Sequence, residues 1–295
     1  MTPVSESSAN DVVRKEIAIA IFENGIPPRP TVLIEIEREM SKEDPDFSFL
    51  ARIISADVSL SAALLKITNS PYYGLDRKVR SVPEALLILG LKLTIQTIAA
   101  IELKKAFGND DHLDRFWDES GTTARVAGWL AMKLRRNCSI RTEDAYTFAL
   151  FHDCGIPLLL RPFPDYRSVL TIANQDSSGL FTSIEDEKFG INHAALGAEL
   201  AESWCLPADM VEGIRHHHRL NQLTSIEVSD TLAKSLPLMA LTLLAEHLIY
   251  LRVGIEKSHE WDKHGAAAMD YLKISDELVS QLLSECHEPI AGYFG

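Results

Sequence analysis

Ala149-Leu150-Phe151-His152-Asp153-Cys154-Gly155 sets a His-Asp pair inside an otherwise apolar stretch. Two adjacent hydrophilic side chains there must be hydrogen-bonded, paired or metal-bound, because burying them unsatisfied costs several kcal/mol. An imidazole and a carboxylate facing one ion are the donors that metal-dependent phosphoester hydrolysis uses, together with ligands from other helices and an open position for water. Gly155 lets the chain turn just after the pair. The dipeptide alone decides little, since a buried His-Asp hydrogen bond is also a common structural element.

Further donors lie at His193, which opens a helix, and at His216-His217-His218, which end the next one. Consecutive helical residues point about 100° apart, so only one or two of the three can face inward. Histidines also suit a solvated helix C-terminus, where they complement the dipole. The chemistry of the triplet favours that bland reading. Phe49 to Ser70 has the outline of a helix-turn-helix, with Asp57-Val58-Ser59 as the turn. Its second helix carries Lys66 as its one cation amid Leu60, Ala62, Ala63, Leu64, Leu65 and Ile67, which is core rather than a reader of base edges. There is no phosphate-cradling glycine loop, GxSxG elbow or dinucleotide fingerprint.

The 295 residues are 46% hydrophobic and 24% charged, as in ordinary globular chains, and carry a formal net charge of −13. That charge argues against general affinity for nucleic acid. It is uneven: residues 51–105 hold eight basic residues against four acidic ones, a local +4. Arg77, Lys78 and Arg80 in that stretch could dock an acidic partner or a nucleotide. Cys138, Cys154, Cys205 and Cys286 are widely spaced, as expected of reduced thiols in a cytoplasmic protein. No unbroken run of about 18 apolar residues is present, which speaks against a membrane span.

The elements that must position these groups read as helices throughout, with no sustained period-2 alternation, so the fold class is all-α. Residues 1–10 are expected to be a disordered leader. Helices are expected at Asp11–Phe22, Thr31–Met40, Asp46–Ala56, Leu60–Asn69, Val82–Leu89 and Lys92–Phe107. Between the last two, Gly90 is a stop, and Ser81 with Glu84 fits a capping box. Gly108-Asn109-Asp110-Asp111 marks a boundary. Beyond it, helices are expected at Arg115–Arg136, Thr142–Phe151, Asp165–Asn174, Ile184–Phe189, His193–Trp204, Pro207–His218, Asp230–Arg252 and Ser275–Cys286. A polar connector is expected over Arg219–Ser225.

The order of these motifs resembles the HDOD domain. The resemblance rests on Ile26-Pro27-Pro28-Arg29-Pro30, on Ile53 to Leu65 running into Thr68-Asn69-Ser70-Pro71-Tyr72-Tyr73-Gly74, and on Val82-Pro83-Glu84-Ala85-Leu86-Leu87-Ile88-Leu89-Gly90-Leu91. Phe116-Trp117, Phe151-His152-Asp153-Cys154-Gly155, His193-Ala194, Trp204-Cys205-Leu206-Pro207 and Ile214-Arg215-His216-His217 complete it. It implies an N-terminal helical lobe over 11–110 packed on an HD-like lobe over 111–218, with 219–295 as a C-terminal helical extension.

HDOD proteins are similar to the HD superfamily of metal-dependent phosphohydrolases, and most resemble non-catalytic relatives in bacterial signalling. Matched by position, His152 and Asp153 are the pair, Glu119 stands where the first histidine is expected, and Glu246 where a later aspartate is expected. His193 and His217 resemble the histidines that complete a binuclear site. The resemblance thus implies Glu119, His152, Asp153, His193, His217 and Glu246 as metal ligands, for iron, manganese, magnesium or zinc. Two departures count against turnover. Ile156 replaces a lysine that would stabilise phosphate charge, and Arg219-Leu220-Asn221-Gln222 replaces a DGxGYP signature. The expectation is a cytoplasmic bacterial regulatory module that binds a signalling protein or a small nucleotide, without catalysis. The alternative is a phosphohydrolase of nucleotides or cyclic dinucleotides with a modified site.

Overall fold

The computed structural model describes residues 25–69, 77–108, 113–254 and 259–287. The expected leader, the Asp11–Phe22 helix, the Ser70–Gly74 motif and most of the Gly108–Asp111 boundary lie outside them. Among the described residues every regular element is helical. The chain divides into two compact units, residues 28–112 and residues 113–295 together with the stretch up to 27.

In the smaller unit, α1 (Thr31–Met40), α2 (Phe47–Ser55) and α3 (Val58–Thr68) pack with α4 (Val82–Ala106). Each starts where its sequence supplies a stop or a cap. Asp46 accepts from the Ser48 and Phe49 N–H groups at 2.8 and 3.0 Å, and Asp57 from those of Ser59 and Leu60 at 2.7 and 3.1 Å. Ser81 Oγ accepts from Glu84 N–H at 3.4 Å, while the Glu84 carboxylate reaches the N–H of Arg80 rather than of Ser81. Leu33, Ile36, Leu50, Ile54, Leu60, Leu64, Leu86 and Ile98 form the core. The lookalike recognition helix α3 turns Leu60 and Leu64 into it. Of the basic stretch, Arg77 pairs with Glu84, and Lys105 with Asp57 and Glu102.

The larger unit is built on α5 (Asp114–Lys133), α6 (Thr142–Phe151) and α13 (Asp230–Val253). Between them run α7 (Ile156–Leu160), α8 (Tyr166–Gln175), α9 (Phe181–Phe189), α10 (His193–Ser203), α11 (Ala208–His216), a 3-10 turn (His217–Arg219) and α12 (Leu220–Leu223). Then α14 (Glu260–Leu272) and α15 (Asp276–Glu285) follow. Helix α13 packs on α5, α6, α11 and α14 and buries Leu241, Leu244 and Leu248 completely.

By length and composition, Val82–Ala106 and Asp230–Val253 could each cross a membrane. The first is two helices broken at Gly90, whose φ of 71° and ψ of 164° are non-helical, so the expected stop is real. The second buries just over half of its most apolar window against neighbouring helices of the unit.

Candidate metal centre

Helix ends bring the donors together. His152 caps the C-terminus of α6, its N–H bonded to Phe148 O, and Asp153 begins the turn into α7. Asn192 caps α10 by accepting from Ala195 N–H at 2.8 Å, which makes His193 the first helical residue. These two ends meet because Gly155 has no side chain. A Cβ there would lie 2.0 Å from His193 O and 2.7 Å from Gly197 N. Opposite, Gly197 accepts from Cys154 Sγ at 3.5 Å.

At the end of α11 the chain tightens into the 3-10 turn, and this overturns the solvated reading of the histidine triplet. His217 and His218 both face inward, whereas His216 turns out towards Glu212.

Asp153 is the hub. Its Oδ2 lies 3.2 Å from His152 Nε2, and its Oδ1 lies 3.3 Å from both His193 Nε2 and His217 Nε2. Glu246, on α13, approaches His152 Nε2 at 3.0 Å. His193 Nε2 is 3.0 Å from His218 Nε2 and 3.4 Å from His217 Nε2.

Every one of these rings has its other nitrogen tied off. Nδ1–H of His152 donates to Ala149 O at 2.8 Å and that of His217 to Ile214 O at 2.7 Å. Those of His193 and His218 donate to Glu185 and Glu260 at 2.7 and 2.6 Å. With Nδ1–H committed in each ring, the four Nε2 atoms are the positions left to bind a proton or a metal. Lone pairs 3.0 Å apart repel unless a proton or a metal cation stands among them.

The residues fit such a cation. Asp153, His193, His217 and His218 form one group of ligand atoms all within 4.8 Å of one another, and His152, Asp153 and Glu246 form a second. Without a metal, protons take the cation's part. Burial opposes charge on His152, but Asp153 and Glu246 outweigh it and hold its pKa well above the ordinary value. For His193, burial is likewise outweighed by Glu185 and Asp153, which push it up to about 10. Burial also opposes an ionised Asp153, yet His152, His193 and His217 keep its pKa well below the carboxylate range. His218 is pushed down to about 3 by burial and by its neighbour His217.

Of the six ligands expected from sequence, five are brought together. Glu119 is not among them: it sits on the body of α5, its carboxylate accepting from Arg115 Nε at 2.8 Å, one turn away. The correction has a plain cause, since an (i, i+4) guanidinium is an available local partner. His218 is gained in its place. Sequence reasoning also missed the residues that hold the rings. Tyr166 OH donates to Glu185, which is fully buried, and Lys263 Nζ pairs with Glu260 at 2.5 Å. The ring of Phe181 stacks on His218 at 4.4 Å, and His247 stacks on Trp261 at 4.1 Å, joining α13 to α14.

The HDOD domain model matches residues 26–220, two thirds of the sequence and every histidine of the centre. The chain belongs to the HDOD domain family. An uncharacterised protein of Treponema pallidum (strain Nichols) is 28% identical over 196 residues, 66% of this chain but 38% of its own length. The protein YuxH of Bacillus subtilis (strain 168), also uncharacterised, is 38% identical over 56 residues, 19% of this chain and 14% of its own. The chain thus spans well under half the length of these relatives. Among solved structures, an HDOD domain protein from Geobacter sulfurreducens superposes with a TM-score of 0.67 at 21% identity, covering 97% of this chain and 96% of its own. A Shewanella amazonensis SB2B protein, provisionally assigned as a phosphohydrolase, gives 0.66 at 19% identity over 92% and 95%. A Marinobacter aquaeolei VT8 protein, provisionally assigned to signal transduction, gives 0.68 at 21% identity over 94% and 63%. At these identities the likeness establishes the fold.

Proposed function

We propose that this chain is a regulatory HDOD module of bacterial signal transduction, cytoplasmic, whose His/carboxylate centre holds divalent metal and serves recognition rather than turnover. The observation that carries the metal reading is that the Nε2 atoms of His152, His193 and His217 lie within 3.3 Å of Asp153, with His218 Nε2 3.0 Å from that of His193 and each ring fixed through its Nδ1. A bound divalent ion would supply a fixed positive centre for an anionic ligand, such as a nucleotide phosphate. His152, Asp153, His193, His217, His218 and Glu246 would hold it. Ile156 speaks against turnover, because it places an aliphatic group where a cation would stabilise developing phosphate charge.

The test is purification without chelator, elemental analysis, and assay of nucleotides and cyclic dinucleotides with added Mn²⁺ or Fe²⁺. We expect bound metal that Asp153→Asn removes, and no hydrolysis. Hydrolysis lost in His152→Ala would install the phosphohydrolase reading instead. Absence of metal under every loading condition would leave the cluster as a protonated polar network.

A further inference from the structure

The two ligand groups that share Asp153 differ in three independent respects. The first offers three imidazoles and a carboxylate, the second one imidazole and two carboxylates. The first is closed, its His193, His217 and His218 side chains 0, 8 and 11% exposed, whereas Glu246 in the second is 41% exposed. Finally, two of the first group's three imidazoles, those of His193 and His218, donate Nδ1–H to the carboxylates of Glu185 and Glu260, whereas His217 beside them and His152 in the second group donate to backbone carbonyls. A carboxylate behind an imidazole raises its basicity and locks its orientation, and losing such a partner costs roughly 10–100-fold in metal affinity.

We propose that the centre is asymmetric: one buried, permanently filled position bounded by Asp153, His193, His217 and His218, and one exchangeable position bounded by His152, Asp153 and Glu246. The first suits a borderline ion such as zinc or ferrous iron, because four protein donors rich in imidazole close its coordination. The second suits a harder ion such as Mn²⁺, which takes carboxylate and water ligands. Its occupancy follows the free ion concentration, so the module's binding surface around Glu246 has two charge states. Glu185 and Glu260 are positioning residues for the filled position, acting through His193 and His218. This rests on the reading that the centre holds metal.

The experiment needs no turnover. Protein purified without chelator is dialysed against metal-free buffer and analysed for zinc, iron and manganese, and Mn²⁺ binding to the dialysed protein is then followed by electron paramagnetic resonance. About one equivalent should survive dialysis, and a second, of Mn²⁺, should bind reversibly and at least about tenfold more weakly. Glu246→Gln should abolish the reversible Mn²⁺ and spare the retained ion. Glu185→Gln and Glu260→Gln should weaken retention by about 10–100-fold. Two ions retained equally, or loss of the retained ion in Glu246→Gln, would overturn the asymmetry while leaving a metal centre in place. A protein that neither retains nor takes up metal would overturn the parent reading as well. The wild-type dialysis decides between these outcomes even if a variant fails to fold.

Discussion

Replacing Gly155 by alanine tests the contact on which the whole centre depends. The added Cβ would stand 2.0 Å from His193 O, 2.7 Å from Gly197 N and 2.8 Å from His193 C, all backbone atoms of the first turn of α10. No flexible side chain can yield. Real Cβ contacts essentially never fall below 3.0 Å, so the end of α6 and the start of α10 must part by at least about 1 Å. Overpacking of this kind costs about 3 kcal/mol or more, the upper end of the usual range. For a unit of this size that lowers Tm by roughly 6–12 °C. The same displacement acts on the pair Asp153 and His193, because Asp153 lies two residues from the new Cβ and His193 supplies the atom it strikes. A ligand moved by about 1 Å exceeds the ±0.2 Å that metal coordination tolerates, so retention of the buried ion should fall at least about 100-fold. Thermal denaturation and elemental analysis after dialysis measure both effects. Gly197→Ala is the milder companion, since its Cβ would meet its nearest neighbours at 3.3 Å. A Gly155→Ala protein with wild-type Tm and wild-type metal retention would refute the claim that this contact sets the register of the centre.

Other predictions follow from the same geometry. Gly90→Ala should cost about 1–3 kcal/mol through backbone strain alone, because no atom lies within 4 Å of the new Cβ, and metal retention should not change in the dialysed protein. Asp57→Ala removes a helix cap as well as the Lys105 ion pair and should cost about 1 kcal/mol by urea denaturation. Metal-free protein should become less stable as pH rises. The proton His193 holds up to about pH 10 is bound only below about 6.5 in the unfolded chain, so its contribution is complete below that value and disappears as pH climbs through 10. A metal-free Tm that is flat between pH 7 and 10 would contradict this assignment. For the same reason metal uptake near pH 7.5 should release about one proton or more, read by calorimetry in buffers of different ionisation enthalpy.

Much of this architecture can be read from residues that act locally. Asp46, Asp57, Ser81, Asn192 and Ser275 each cap the helix they precede, and Gly90 breaks α4 where its sequence says it must. The pairing of His152-Asp153 with His193 is legible through the family resemblance, and Gly155 is its physical cause. The centre's remaining parts depend on features that no short window carries. The spacing rule allows two of the triplet to face inward but cannot say which, and the 3-10 turn after α11 selects His217 and His218. The polar look of Arg219–Ser225 hides a helical turn that buries Leu220 and Leu223. Helix α14 is missed altogether, although it supplies Glu260, Lys263 and His264. It has no side-chain cap, and Gly265 interrupts its middle, where a Cβ would meet the Trp261 ring at 2.8 Å. Its local signals are weak: Glu260 and Asp262 in the first turn, and the (i, i+3, i+4) spacing of Glu260, Lys263 and His264, which an ordinary solvated face would also display. Glu119 is the converse: position in the motif order suggests a ligand, and a neighbouring arginine one turn away claims it.

The placement of the donors explains how such a centre can change without loss of the fold. His152, Asp153, His193, His217 and His218 all stand at helix ends or in the turns between helices, while the buried leucines and phenylalanines of α6, α10 and α13 hold the helix bodies together. A helix end is steered by a cap or by one close approach, so it can be redirected at a cost of a few kcal/mol, whereas a core side chain lost from the middle of a helix leaves a cavity. Among the candidate ligands only Glu119 and Glu246 lie on helix bodies, where the side chain alone decides what it reaches. Glu119 turns to Arg115 and Glu246 opens to solvent. The part of the centre that is built into the backbone is thus the imidazole-rich, closed part. The exposed half depends on single side chains, so Glu246 can be exchanged there without disturbing the scaffold.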